Sequence, residues 1–244
     1  MNPHHYYLFI DLACIFFPLA LSFDKKVAFA SKWKAYFKAN LITAAVFVVW
    51  DIIFTHHGVW GFNDAYISGI HIFNLPLEEL LFFICIPYAC TFLYETFKSW
   101  LPKQPLQKSG RYIASGMLLL FTVLLGIYTT HLYTMSATLS AIIILVILLR
   151  KRATYVGYLL FSYFVALIPF TIANGLLTGL DFRQYPIINT TPEAISDQIV
   201  WYANSENLGV RFFSIPFDDF IYGFTLIAMN IVIFEYYRSK DKLA

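Results

Sequence analysis

Seven apolar stretches, each roughly long enough to cross a lipid bilayer as a helix, constrain this chain more than any other feature. A membrane-spanning helix needs about 20 mostly apolar residues. Runs such as residues 141–149 do not alternate between apolar and polar residues, as the strands of a membrane barrel do. Only 13% of the 244 residues are charged, whereas ~25% is usual in soluble domains. The sequence therefore predicts an all-α polytopic membrane protein with spans at residues 6–23, 37–55, 76–97, 112–130, 133–149, 154–174 and 216–237.

The distribution of basic residues predicts the orientation of these spans. Fifteen of the 17 lysines and arginines fall between spans one and two, three and four, or five and six, after span seven, or, for Lys38, at the very start of span two. The other two, Arg183 and Arg211, lie in the long sixth loop. Because basic residues gather on the cytoplasmic side of membrane proteins, we expect a multi-pass inner-membrane protein with its N-terminus outside and its C-terminus in the cytoplasm. The first span lacks the basic start of a cleaved signal peptide, and we interpret it as a retained helix.

A short internal repeat relates the two halves of the chain. Residues 69–80 align with residues 209–220 without a gap, at a constant offset of 140. Upstream, Asp51 aligns with Asn174 and the offset falls to 123, which predicts about 17 extra residues around 188–206.

The repeat predicts two three-helix units, residues 1–98 and 132–244, joined by a connecting helix within residues 99–131. Because the connector adds one crossing to three spans, both units should have the same orientation. This arrangement predicts a parallel repeat about an axis along the membrane normal. Both copies of the aligned motif should then begin helices on the same outer side and meet near that axis.

The aligned motif is Pro-x-acid-acid, and its acids are the main candidates for chemistry: Glu78 and Glu79 after Pro76, and Asp218 and Asp219 after Pro216. Proline and acidic residues also suit the first turn of any helix, so capping is the alternative role. Capping needs one acid, however, whereas two adjacent acids recur in both halves. Neighbouring helix positions point about 100° apart, so at least one acid of each pair should face the bundle. Carboxyl groups crowded in a low dielectric keep protons and can serve as general acids.

Other polar and aromatic residues are less decisive. Asp51, near the outer end of span two, either bonds to the acidic cluster or faces the surface. Glu95 and Glu235 lie beside basic residues, so structural ion pairs are expected, and Asp11 has no evident partner. Aromatic residues make up 19% of the chain; they either anchor span ends at the membrane interface or line a pocket that stabilises a cation.

Several of these residues resemble the membrane-integral lycopene cyclases, which occur as two subunits in some bacteria and as fused proteins in archaea and fungi. The resemblance covers nearly the whole chain, in the fused form, and rests on Trp50-Asp51, residues 58–63, Pro76-Leu-Glu-Glu79 and Pro216-Phe-Asp-Asp219. It implies that an acyclic ψ-end becomes a β-ring without net oxidation or reduction. An acid protonates C2, the C5=C6 bond attacks the resulting cation, and a base removes the C6 proton.

The resemblance also implies roles for the site residues. Glu78 or Glu79 would donate the proton, and Asp218 and Asp219 would support that donor or accept the proton. Asp51 would belong to the same site. The second half departs from the family pattern, because aspartate stands at Asp218 where glutamate is commoner.

No cofactor or metal is expected, because the chain lacks a glycine-rich dinucleotide motif, a P-loop and a Cys/His cluster. The expected partners are lycopene or a similar acyclic carotenoid and membrane lipid, with no nucleic acid and with a homo-oligomer left open. A proton-coupled transporter or a lipid-binding membrane protein is the main alternative, and a receptor stays open. A retinal protein is disfavoured because no span interior contains a lysine, and a prenyltransferase because Asp-rich motifs are missing.

Overall fold

Seven long helices dominate the computed structural model, which describes residues 2–241. Each is long and apolar enough to cross a membrane, because its interior is almost free of charges. The predicted all-α polytopic class is therefore confirmed. The helices are α1 (Tyr6–Leu21), α2 (Trp33–His56), α3 (Leu77–Trp100), α4 (Gly110–Ile127), α5 (Leu132–Arg150), α6 (Val156–Thr178) and α7 (Phe217–Asp241).

The helices occur in the predicted order, but some extend beyond their apolar stretches. Helix α2 begins at Trp33, four residues before the predicted residue 37, and therefore includes Lys34 in addition to Lys38. Long basic side chains can lie along apolar surface while their charged ends reach water. A helix can therefore continue past the apolar run that marks its span in the sequence.

The two halves interlock through their second and third helices. Helix α1 packs on α3, and α5 packs on α7. Helix α2 packs mainly on α7, and α6 packs on α3, whereas α4 lies against α5 and α6. Helices α3 and α7 therefore occupy the centre, and each contacts helices of both halves.

Short strands cover the end of the bundle at which α3 and α7 begin, which we call the hairpin end. Strands β2 and β3 form one hairpin, strands β6 and β7 form another that β4 extends, and β1 pairs with β5 across the two halves. The strands are β1 (Trp60–Phe62), β2 (His71–Ile72), β3 (Leu75–Pro76), β4 (Ile188–Asn189), β5 (Val200–Tyr202), β6 (Arg211–Phe212) and β7 (Ile215–Pro216).

The same order of short elements starts at Trp60 and, 140 residues later, at Val200: a strand, a 3-10 turn, a hairpin and a helix. Residues Gly69 and Gly209 both have left-handed φ angles, 80° and 68°, which glycine adopts without strain. Only residues 57–59 join α2 to β1, whereas residues 179–199 join α6 to β5.

The extra residues of the second half therefore lie within 179–199, and the predicted interval of 188–206 was partly wrong. Strands β1 and β5 share no identical residue at aligned positions. The two strands correspond only in backbone structure, so an alignment of the sequences could not detect their correspondence.

The prolines of the repeated motif lie one residue earlier than expected. Pro76 is the N-cap of α3, with φ −66° and ψ 152°, and not a residue of its first turn. Both Pro76 and Pro216 end a hairpin strand, paired with His71 and Arg211 respectively. The acids that follow then occupy the first helical turns.

A cluster of ion pairs ties the helices together at the opposite end of the bundle. The carboxylate of Glu95, which is 1% exposed, lies 2.6 Å from Lys32 and 2.6 Å from Arg238. Glu235 accepts from Lys98 at 2.5 Å and from Tyr94 at 2.7 Å. These contacts join residues that precede α2 with α3 and α7, in the structural role that the sequence suggested.

Replacing Glu95 with glutamine should destabilise the bundle measurably. We expect a loss of roughly 2 kcal/mol, less than the roughly 3–5 kcal/mol cost of breaking a fully buried pair, because the basic partners still reach water. The corresponding fall in Tm is about 5 °C, measured by thermal denaturation in detergent. Asp181→Asn is the matched control, since its pair with Arg183 is exposed. Equal Tm values for the two variants would contradict this role of Glu95.

Candidate active site

The first acid of each pair binds backbone and lies outside the central cavity described below. Glu78 accepts the Ser68 N–H at 2.8 Å, and Asp218 accepts the Leu208 N–H at 3.0 Å. Asp218 also accepts the hydroxyl of Thr134 at 2.5 Å. These bonds hold each hairpin loop against the start of α3 or α7. The contacts of these two acids are therefore structural, although the N–H groups that they bind belong to the loops before the hairpins and not to the helices that capping would satisfy.

The second acid of each pair is buried and faces the cavity. Glu79 accepts a hydrogen bond from the phenol of Tyr7. Its carboxyl group also lies close enough to that of Asp51 for the two acids to interact, and one oxygen of Asp51 has no hydrogen-bond partner in the part of the chain that the structure describes. The two acids can form a hydrogen bond with each other only when one of them holds a proton, because two ionised carboxylates can only accept.

Asp219 has a different set of neighbours. Its two oxygens accept from Tyr133 at 2.6 Å, from Asn174 at 2.7 Å and from Tyr202 at 3.1 Å. Three donors converging on two oxygens suit an ionised carboxylate, which is a pure acceptor. Glu79 and Asp219, which we call the inner acids, are near enough for their charges to interact.

A buried cation, Arg211, lies near Asp219. The guanidinium of Arg211 is 5.5 Å from the ring of Tyr202 and donates to the Ser214 carbonyl at 2.9 Å. Burial lowers the pKa of Arg211 from its ordinary value, and attraction to Asp219 opposes that shift. Burial and then the charge of Asp219 raise the pKa of the Tyr202 phenol well above its usual range. Tyr202 therefore remains a donor, and the positive charge of Arg211 favours the ionised form of Asp219.

The structure resolves the two readings of Asp51. Its side chain is buried and accepts a hydrogen bond from the indole of Trp60, so it does not face the surface. Its predicted counterpart, Asn174, lies in the second half and donates a hydrogen bond to Asp219 of that same half. The two positions therefore make equivalent contacts, one with a carboxyl group and one with an amide.

Sequence reasoning missed several residues of this cluster. Tyr7 and Tyr133 stand at the same place on the first helix of each half, and each donates to the inner acid of its half. Asp11, one turn after Tyr7, is fully buried, and its oxygens have no hydrogen-bond partner within residues 2–241. An alignment of α1 with α5 at an offset of 126 would have paired the two tyrosines.

A cavity of about 590 Å³ begins at this cluster and runs between α1, α3, α6 and α7. Its polar lining is gathered near Glu79 and Asp219, and the rest is almost entirely apolar. It extends along α3 as far as Leu93, about 21 Å from Glu79 at 1.5 Å per residue. Phe17 and Ile172 line it and are 67% and 56% exposed. The cavity therefore reaches the apolar outer surface between α1 and α6.

Aromatic rings surround the polar end of the cavity. Trp60 lies 5.0 Å from Tyr133 and 6.1 Å from Tyr222, and Tyr133 lies 5.9 Å from Tyr202. All four rings line the cavity, and we call them the aromatic cluster. Trp60 and Tyr202 come from the paired strands β1 and β5, so this pairing positions rings from both halves. Aromatic faces attract cations.

The remaining candidates lie elsewhere. Glu95 and Glu235 belong to the ion pairs at the opposite end of the bundle. Within residues 2–241, no three His, Cys, Asp or Glu side chains are grouped as ligands for a metal ion.

Comparison with known proteins explains this combination of acids and an apolar cavity. The lycopene cyclase family matches residues 4–97 and 130–237, which is most of the chain. The chain belongs to the lycopene cyclase family. The interval between the two matched segments contains α4.

A curated relative and the solved structures add little to this. The bifunctional lycopene cyclase/phytoene synthase of Leptosphaeria maculans is 35% identical over 66 residues, which cover 26% of this chain and 11% of the fungal protein. The match thus spans about a tenth of that relative's length. No solved structure matches the chain.

Proposed function

We propose that this protein cyclises the ψ-ends of an acyclic carotenoid such as lycopene to β-rings by acid–base chemistry. The observation that carries the proposal is the pairing of two unlike carboxyl environments at the polar end of an apolar cavity. One environment holds two neighbouring carboxyl groups that can share a proton, and the other surrounds a carboxylate with three hydrogen-bond donors. A proton-neutral isomerisation needs both an acid and a base, and a polyene needs an apolar cavity.

The proposed acid is Glu79, which shares a proton with Asp51. Two carboxyl groups in contact cannot both ionise, so the pair retains one proton next to the cavity. Asp11 adds a third acidic group nearby, since its charge would interact with that of Glu79. The proton passes from this pair to C2 of the terminal C1=C2 bond and leaves a tertiary cation at C1.

Ring closure then follows within the same end group. The C5=C6 π electrons attack C1, which forms the C1–C6 bond and moves the positive charge to C5. The aromatic cluster and the ionised Asp219 stabilise this cation. The proposed base is Asp219, which removes the C6 proton, so that the C6–H electrons restore the C5=C6 double bond. Asp219 ends with a proton and the acid pair lacks one, so a proton must return before the next turnover.

The orientation of the protein is part of the proposal. The basic residues favour a cytoplasmic position for the end that holds Glu95, and the hairpin end would then lie at the outer face of the inner membrane. The gap between α1 and α6 opens on an apolar surface, which supports entry of the carotenoid from the lipid.

The test is conversion of lycopene by membranes that contain the protein, in buffer prepared with D₂O. We expect β-ring products on chromatography, with one deuterium at C2 for each ring, because the carboxyl proton exchanges with solvent before transfer. If lycopene remains unchanged although the protein is well inserted in the membrane, the proposed enzymatic activity is contradicted. Rings without deuterium would instead leave the cyclase assignment standing and rule out the acid proposed here.

A further inference from the structure

We infer that the protein binds one end group per encounter, in a single cavity, so that a half-cyclised carotenoid must leave and return reversed before its second end can react. The inference rests on the proposed function. What carries it is a difference between the two halves: the space that corresponds to the cavity in the other half is filled by large side chains.

Contacts around the acids define which positions correspond. Tyr7 and Tyr133 bind the inner acids of their halves, which relates α1 to α5 at an offset of 126. Asp51 lies beside Glu79 and Asn174 donates to Asp219, which relates α2 to α6 at an offset of 123. The hairpins relate α3 to α7 at an offset of 140.

Small residues on α6 and α7 leave room for the cavity. Gly223 and Ala173 both line it, and the nearest neighbour that a Cβ atom on Gly223 would meet is Phe170, at an ordinary 3.7 Å. The space beside Gly223 is thus open enough to admit part of a ligand.

The corresponding residues of the other half are large and packed. Phe83 corresponds to Gly223, is fully buried and lies 6.1 Å from Phe47, ring to ring. Trp50 corresponds to Ala173 and lies 5.1 Å from Tyr222 and 5.4 Å from Phe47. Protein interiors are close-packed, so these rings exclude an end group from that position.

The two inner acids also belong to the one open cavity. Glu79 and Asp219 come from different halves, yet both line the one cavity. The corresponding space therefore has no second acid and base of its own. Since the cavity reaches the lipid-facing surface beside Phe17 and Ile172, the far end of a bound carotenoid extends away from the acids and cannot react in the same encounter.

A chase experiment tests the inference with the intact protein in membranes. Isotope-labelled lycopene is allowed to react briefly, and a tenfold excess of unlabelled lycopene is then added. If the monocyclic product leaves after each turnover, competition should cut the later formation of labelled bicyclic product by about tenfold. Label that remains monocyclic supports the inference, and labelled bicyclic product formed at the same rate despite the chase overturns it. A complete absence of rings would instead be a failure of the proposed function.

A pair of matched variants tests the cavity itself. Gly223→Phe copies the residue of the other half into the cavity and should reduce the lycopene that copurifies with the protein by at least about tenfold. Gly126→Phe is the control, because Gly126 is exposed on α4 and a Cβ atom there would meet no other atom within 4 Å. Lycopene binding by Gly223→Phe at the level of the control would show that end groups bind elsewhere and would overturn the inference.

Discussion

Replacing Glu79 with glutamine is expected to lower ring formation by roughly 10²–10⁴-fold, the usual contribution of a positioned general acid. Glutamine has nearly the same shape and can still accept the Tyr7 hydrogen bond, so the fold should persist. It cannot carry the transferable proton that Glu79 and Asp51 share. The measurement is the initial rate of β-ring formation in membranes that hold equal amounts of protein.

Glu78→Gln is the matched control for this prediction. The adjacent side chain binds the Ser68 N–H and does not line the cavity, and a glutamine oxygen can accept the same bond. We expect activity within about tenfold of the unsubstituted protein, since positioning is retained and only one hydrogen bond changes in strength. A greater loss in Glu78→Gln than in Glu79→Gln would reverse the assignment within the pair.

Replacing Asp219 with asparagine should also lower ring formation by roughly 10²–10⁴-fold, because it removes both the base and a negative charge that stabilises the cation. A second effect distinguishes this variant from the loss of the acid. Without a base aimed at C6, the C5 cation can lose a proton from C4 or from its methyl group. The residual product should therefore include rings with a displaced double bond, identified by chromatography and mass spectrometry.

Asp218→Asn is the control for the second prediction. Asp218 holds the loop before β6 and the hydroxyl of Thr134, outside the cavity. Its substitution should slow the reaction slightly and leave the ring type unchanged. If the residual product of Asp219→Asn contains only β-rings, a group other than Asp219 removes the C6 proton.

Much of the architecture could be predicted from the sequence, because membrane-spanning helices depend on local composition. Apolar runs of sufficient length give the order of the helices, since lipid leaves the backbone few alternatives to helical hydrogen bonding. The aligned motifs at Pro76 and Pro216 also predicted two equivalent helix starts with acids in the first turn. The ends of α2 and the location of the extra loop residues were less predictable, because charged residues can continue a helix and strand pairing leaves little trace in the sequence.

The candidate site depended much more on packing. The 100° spacing of neighbouring helical residues showed that one acid of each pair should face inward, but not which one. That choice depends on the rotation of α3 and α7 about their axes, which their neighbours determine. Likewise, Tyr202 reaches Asp219 because β5 pairs with β1, a contact between residues about 140 positions apart.

By itself, therefore, the sequence determined the seven helices, the two acidic helix starts and the family resemblance that links them to carotenoid cyclisation. The tertiary structure decided that Glu79 and Asp219 face the cavity while Glu78 and Asp218 bind the hairpin loops. It also decided that Asp51 contacts Glu79, and that a cavity opens beside Gly223 while the corresponding space beside Phe83 is filled. The physical reason is that burial, protonation and open space are properties of side chains from several helices together. Composition and spacing describe one segment at a time.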